Sequence, residues 1–413
     1  MGGSNSHLET NSDPVKTYAG FEKRNNTQVI SKTSFKDKFS PHFYNLADLL
    51  WDNFEGHNNS GEFLDLFKYQ GLIERLSSTP DMLAIFLNIF KQPRLSESDI
   101  KTIFKWFTLG RDLSPDTWEL IFTSILSPDE NGTYQHDTVL SSLNRMCPNI
   151  CNDLVSMILQ LLNDNHSFDL IDFNPYKLSG TIFTADLQWL LSTFVTYPYK
   201  RAPKNCLLQT IPLECEQLSH LYCLYNSMSH GMSLTRLMEL AFNYNGPIIV
   251  FLKANEFLYC LLSDQGLKES LKAFGKEYSF LYQIQPKFTR LVSGSLGTGS
   301  GMIYANFTTK TSKRGLFVGH QPLTSPVIEI NEDFTELKFN SGLPIRLNAI
   351  EVWAAGSSDH MSKLKDQKKW ESGQVTKAKE RKLNSEAWQD SADRFLLELD
   401  GKRVHHSDMV EPP

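Results

Sequence analysis

This chain has no long apolar run. No stretch of about 18 or more apolar residues occurs, which excludes a spanning helix of ordinary length. The longest apolar runs, such as 248–252, are short enough to be buried strands. The N-terminus lacks the apolar core of a secretory signal. Cysteine is sparse and unrhythmic: Cys147, Cys151, Cys206, Cys215, Cys223 and Cys260 form no C-x-x-C, so reduced, buried thiols are expected rather than a disulfide framework. Positive charge is also short. A formal net charge of -6 excludes a whole-surface nucleic-acid binder, because phosphate contacts need a basic field. No repeat of about 20 to 50 residues occurs.

The composition that is present, 40% hydrophobic and 21% charged, is that of a globular chain with two or three domains. Residues 1–38 are rich in Asn, Ser and Lys and are expected to form a disordered, lipidated N-terminus. Its first residues, Met1-Gly2-Gly3-Ser4-Asn5-Ser6, match M-G-x-x-x-[ST], the N-myristoylation signal, with Gly2 as acceptor. One acyl chain gives only marginal, reversible membrane binding, so a second contact is needed.

Residues 39–195 are expected to be helical. Ser96 stands three residues before Asp99, ahead of Ile100, Ile103, Phe104 and Phe107, a capping pattern followed by an apolar stripe. Ser114-Pro115-Asp116 opens another helix, with Pro in the first turn. Further helices are expected from Pro80-Asp81 and over 152–162. The helix pairs suggest EF-hands, but 129–137 and 164–172 lack the D-x-[DN]-x-[DN]-G-x₅-E order, so a calcium-silent version is expected.

Residues 196–205 form a Pro-rich, cationic linker. Beyond it, strands are expected at 247–253, 257–262, 278–285, 288–292, 302–307, 315–318, 327–330 and 350–354. Helices are expected at 216–226 and 234–242, the second capped by Ser233. This order predicts an α+β chain whose C-terminal part is a β-sandwich with flanking helices. His230 has no Ser, Cys or carboxylate at triad or metal spacing, so a satisfied turn histidine is expected. The Gly-rich run 294–301 lacks G-K-[ST] and is expected to be a hairpin loop.

Four ordered segments carry a resemblance. Tyr225-Asn226-Ser227-Met228-Ser229-His230-Gly231-Met232-Ser233-Leu234 is similar to the "Y-S-x-x-x-H-G-x-S" segment of the TLDc family. Gly246-Pro247-Ile248-Ile249-Val250 resembles its "G-P-hydrophobic" strand, Gly315-Leu316-Phe317-Val318 its "G-L-W", and Glu351-Val352-Trp353 its closing "E-V-W". The resemblance covers residues 206–356. With the Gly2 signal, the helical domain and a basic tail, the combination is similar to the lipidated members of that family. It implies a non-catalytic adaptor, without cofactor, metal or small-molecule substrate, on the cytosolic face of the vacuolar or lysosomal membrane. The implied partner is the peripheral sector of the V-ATPase, whose assembly the protein would regulate. Oxidative-stress resistance is the alternative that the family name carries. The loop 304–314 is not glycine-rich, and Gly319-His320 stands where the family has an acidic residue.

Residues 357–413 read as a basic helical tail, with eight Lys/Arg against three acidic residues between Lys363 and Lys382. Lys363, Lys365, Trp370, Trp388, Phe395 and Leu396 are its candidate partner-binding residues: cations for steering and apolar anchors for a groove. An anionic-lipid-binding scaffold is the third reading.

Overall fold

The computed structural model describes residues 21–24, 27–52, 63–77, 82–90, 92–163, 180–196, 198–199, 221–242, 244–294 and 301–383. They fall into two compact units, Met1–Gly356 and Ser357–Pro413.

The first unit opens with β1 (Phe21–Arg24), β2 (Thr27–Ser31), α1 (Lys32–Lys36), a single helical turn (Pro41–Phe43), α2 (Tyr44–Asp52) and β3 (Phe63–Asp65). The three strands form one sheet in the order β1-β2-β3. The disordered stretch expected through residue 38 is therefore corrected, since Phe21–Arg24, Thr27–Ser31 and Lys32–Lys36 form regular elements. Ile30 and Phe35 are fully buried, and Phe21 meets Tyr69 edge-on at 4.9 Å. Composition undervalues this stretch because its few apolar side chains are spent on partners from further along the chain.

The helical region continues with α3 (Leu66–Ser77), α4 (Met82–Asn88), β4 (Arg94–Leu95), α5 (Glu97–Phe107), α6 (Pro115–Leu120, prolonged by a wider turn Ile121–Ile125), β5 (Tyr134–Gln135), α7 (His136–Met146), α8 (Asn152–Asn163) and α9 (Ala185–Phe194). The start signals act as expected. The Ser96 hydroxyl accepts from the Asp99 N–H at 3.2 Å, and the Asp99 carboxylate accepts from the Ser96 N–H at 2.8 Å, a reciprocal capping box. Ser114 caps α6, with Pro115 in its first turn. Strands β4 and β5 pair antiparallel, joining two helix–loop–helix units in an EF-hand-like manner. In the second loop Gly132 takes a left-handed φ of +71°, as such turns require. The Asp129 carboxylate there accepts from the Thr133 hydroxyl at 2.8 Å and from the N–H groups of Thr133 and Asn131 at 2.9 and 3.0 Å. These bonds, the Thr133 hydroxyl foremost, hold its pKa below the usual carboxylate range. The loop is closed by its own hydrogen bonds.

The β-rich region runs β6 (Tyr222–Asn226), α10 (Ser227–His230), α11 (Leu234–Leu237, prolonged by Met238–Phe242), β7 (Ile248–Ala254), β8 (Phe257–Ser263), β9 (Ser270–Phe274), β10 (Phe280–Gln285), β11 (Thr289–Ser293), β12 (Ile303–Asn306), β13 (Gly315–Val318), β14 (Ile328–Ile330), β15 (Glu336–Phe339), β16 (Ile345–Arg346) and β17 (Ala349–Ala354). Two six-stranded sheets result, ordered β11-β10-β8-β7-β17-β6 and β16-β15-β14-β13-β12-β9. Every expected strand is present. The helix expected over 216–226 is corrected: Tyr222–Asn226 is a strand at a sheet edge, paired with β17 through Asn226↔Glu351 and Val352↔Tyr225. Its apolar spacing suits either element, and a partner from the far end of the domain decides it.

The first sheet is buried on both faces. Tyr259 faces the second sheet, its ring 5.9 Å from Phe339 of β15. The alternate residues Ile249, Phe251, Leu258, Cys260, Leu262, Tyr282, Ile284 and Trp353 belong to the same buried cluster as the helical core. This explains the uninterrupted apolar run of β7, since a strand with a polar outer face would alternate. In the second unit, α12 (Ser358–Leu383) is a single helix, begun by Ser357, whose N–H meets His360 Nδ1 at 3.1 Å.

Candidate functional site at the seam between helices and sandwich

Glu351 of β17 is fully buried. Its Oε1 accepts from the N–H groups of Thr181 and Ile182, the latter at 2.7 Å, and from Asn226 Nδ2 at 3.1 Å. Its Oε2 accepts from the Phe183 N–H at 3.1 Å and from Trp353 Nε1 at 3.2 Å. Three successive backbone N–H groups thus converge on one carboxylate, a geometry that otherwise receives anions. Their loop enters the helical region through α9, whose N-cap is Thr184. Gly180 lets this loop approach: a Cβ there would lie 2.5 Å from Glu351 Oε2 and 2.9 Å from the Trp353 ring.

Aromatic packing extends the seam. Phe183 stacks on Phe251 at 4.9 Å and tilts against Trp353 at 5.1 Å. Phe194 meets Tyr282 at 4.6 Å and Phe288 at 5.0 Å. Two polar contacts complete it: the Phe288 N–H donates to Ser124 Oγ at 2.9 Å, and the Tyr199 hydroxyl donates to the Tyr278 carbonyl at 2.6 Å. Beside the Glu351 loop lies a cavity of about 370 Å³, walled by α6 and α9 on one side and by Lys253, Leu258, Ile284 and Gln285 on the other.

The residues with chemical potential are committed to structure. His230 Nδ1 accepts from the Asn226 N–H at 3.1 Å, and its ring stacks on Tyr225. The Tyr225 hydroxyl donates to the Gly231 carbonyl at 2.6 Å and accepts from the Ser233 N–H at 3.3 Å. The segment is a pinned turn in which His230 is the satisfied turn histidine expected. Burial pushes the thiols of Cys147 and Cys151 up to about 12 and that of Cys223 up to about 11; Cys260 is raised as well. Cys206 and Cys215 lie outside the described residues. Among the described residues, no group of three His, Cys, Asp or Glu side chains gathers as a metal site.

Of the candidate residues read from the sequence, Gly2, Trp388, Phe395 and Leu396 lie outside the described residues, as does the loop 164–172. Lys363, Lys365 and Trp370 lie on α12, where Trp370 is 65% exposed and Val375 54% exposed. Five residues on an α-helix separate Trp370 from Val375 by about 140°, so they do not share a face. Lys363 and Lys365 likewise point to opposite sides. The residues that sequence reasoning missed are Glu351 and the 181–183 loop. The "E-V-W" segment marked Glu351, but no local signal linked it to residues 170 positions earlier.

The fold and seam define a two-sheet sandwich roofed on one face by helices and joined to them through a buried carboxylate. Residues 204–355 match the family model for the TLDc domain. The chain thus carries a TLDc domain, and its helical region completes the burial of that domain's first sheet. No curated protein matches the chain.

Proposed function

We propose that this protein is a non-catalytic TLDc adaptor that binds the peripheral sector of the V-ATPase at the vacuolar or lysosomal membrane and regulates its assembly. The observation that carries the reading is the structural employment of the TLDc motif residues. Glu351 and Tyr225 have their polar groups hydrogen-bonded inside the fold, and His230 holds the Asn226 N–H through Nδ1. A protein built this way acts through its surfaces. Among the described residues no helix is long and apolar enough to cross a membrane. Under this reading, residence comes from a lipid on Gly2 joined to a docked protein face, two weak contacts that reinforce each other by effective concentration.

The test is recovery of the pump in a pull-down. Deleting 358–413 is expected to leave the melting of the first unit in place and to lower pump recovery; unchanged recovery argues against the tail as a contact. Gly2→Ala is expected to move the protein to the soluble fraction while direct binding in detergent survives.

The described thiols speak against a peroxide-reducing thiol, because a reactive cysteine needs a lowered pKa and access. With its pKa pushed up to about 11, Cys223 holds more than about 100-fold less thiolate at neutral pH than a free cysteine. Native protein treated with a water-soluble disulfide reagent should label Cys147, Cys151, Cys223 and Cys260 only on unfolding. Rapid labelling of any of the four would revive the oxidative-resistance reading. The lipid-scaffold reading is disfavoured by α12, whose cations lie all round the helix, whereas an interfacial helix needs one apolar face.

A further inference from the structure

We propose that Ser312 is a phosphorylation site for a kinase that reads basic residues, and that its phosphate loosens two neighbouring loops of the second sheet. Ser312 lies between β12 and β13, in the loop that departs from the glycine-rich pattern and reads Thr308-Thr309-Lys310-Thr311-Ser312-Lys313-Arg314. The base of this loop is fixed. Asn306 Nδ2 donates to the carbonyls of Thr309 and Lys313, both at 3.0 Å, and Asn306 Oδ1 accepts from the Thr309 N–H at 3.0 Å. The tip is open, since residues 310–314 are all exposed. Among the described residues, the side chains of Lys310, Thr311 and Ser312 have no hydrogen-bond or ion-pair partner.

The Ser312 hydroxyl is thus free to react, with Lys310 two residues before it and Lys313 and Arg314 directly after it. Kinases select substrates by such charge patterns. In the transfer, Ser312 Oγ attacks the γ-phosphorus of ATP. The new O–P bond forms as the bond to the β-phosphate oxygen breaks, ADP leaves, and the hydroxyl proton goes to the kinase's catalytic carboxylate. The same cations tie the loop to its neighbours. Arg314 pairs with Glu332 in the β14–β15 turn. The Lys313 ammonium donates to the Leu323 carbonyl at 2.9 Å and lies 6.0 Å from the centre of the Phe317 ring. A phosphate adds about −1.5 to −2 charge and three acceptor oxygens, next to Lys313 and Arg314 along the chain. It outcompetes a single carboxylate for the guanidinium and a neutral carbonyl for the ammonium. Leu323 and Glu332 then lose their ties, and the loops 319–326 and 331–335 loosen.

The test treats folded full-length protein with ATP and the catalytic fragment of protein kinase C, beside a synthetic peptide of residues 304–318. Mass spectrometry is expected to find phosphate on Ser312 in both, and none in this loop of Ser312→Ala. Hydrogen exchange in 319–326 and 331–335 is expected to quicken about threefold on phosphorylation, the scale of an exposed ion pair. Arg314→Met, without phosphate, should reproduce the change in 331–335 alone. A labelled peptide beside folded protein that stays unmodified at Ser312 overturns the site, and so does a peptide that takes no label. Phosphate on Ser312 with unchanged exchange in both loops overturns the release.

Discussion

Residues 204–356 expressed alone are expected to form soluble aggregates rather than a monomer, although the TLDc family match ends within that span. The first sheet presents Ile249, Phe251, Leu258, Cys260, Leu262, Tyr282, Ile284 and Trp353 to the helical region. Removing the helices uncovers apolar surface on the order of 1,000 Å², beyond the few hundred Å² that monomers usually tolerate. Size-exclusion chromatography with a dye for exposed apolar surface reads the result directly. A chain starting at residue 180 should behave better, because it restores Phe183 and Phe194 to the sheet. A monodisperse, cooperatively melting 204–356 fragment would show that the helices are an ornament of the domain.

Glu351→Ala is expected to lower stability by about 3–5 kcal/mol, a large share of the roughly 5–15 kcal/mol of a typical domain. The loss has two parts: five N–H donors are left without their acceptor, and a cavity opens beneath Trp353. Glu351→Gln keeps the volume but turns an NH₂ group toward N–H donors, and should cost about 1–3 kcal/mol. Gly180→Ala strikes the same place from the other side, driving a methyl into the carboxylate and the Trp353 ring. In the Glu351→Ala background that methyl has room, so the two losses should be less than additive. Urea midpoints of the four proteins measure the coupling. Strict additivity would mean that the carboxylate and the loop do not act together.

The sequence made the elements legible where one local signal sufficed. Ser96 with Asp99, Ser114 with Pro115, and Ser233 mark helix starts that the structure contains. The uninterrupted run of β7 announced a strand without a solvent face. Elements that depend on distant partners were hidden. Strand β6 looked helical because its pairing with β17 comes from the far end of the domain. Strands β1 and β2 sit in a stretch whose composition suggests a tail, and they exist because β3 and Tyr69 receive them. The seam was hidden for the same reason: the three N–H groups that hold Glu351 are backbone atoms of Thr181, Ile182 and Phe183, and backbone donors leave no trace in residue identity.

Hydrogen exchange at the amides of Thr181, Ile182 and Phe183 probes the joint between helices and sandwich most directly. These residues lie in a loop, where amides ordinarily exchange fast. Held by a buried carboxylate, they should instead exchange as slowly as the β7 and β8 amides, opening only when the whole unit unfolds. Exchange within seconds in the folded protein would contradict the joint and, with it, the reading of Glu351 as a structural rather than a reactive group.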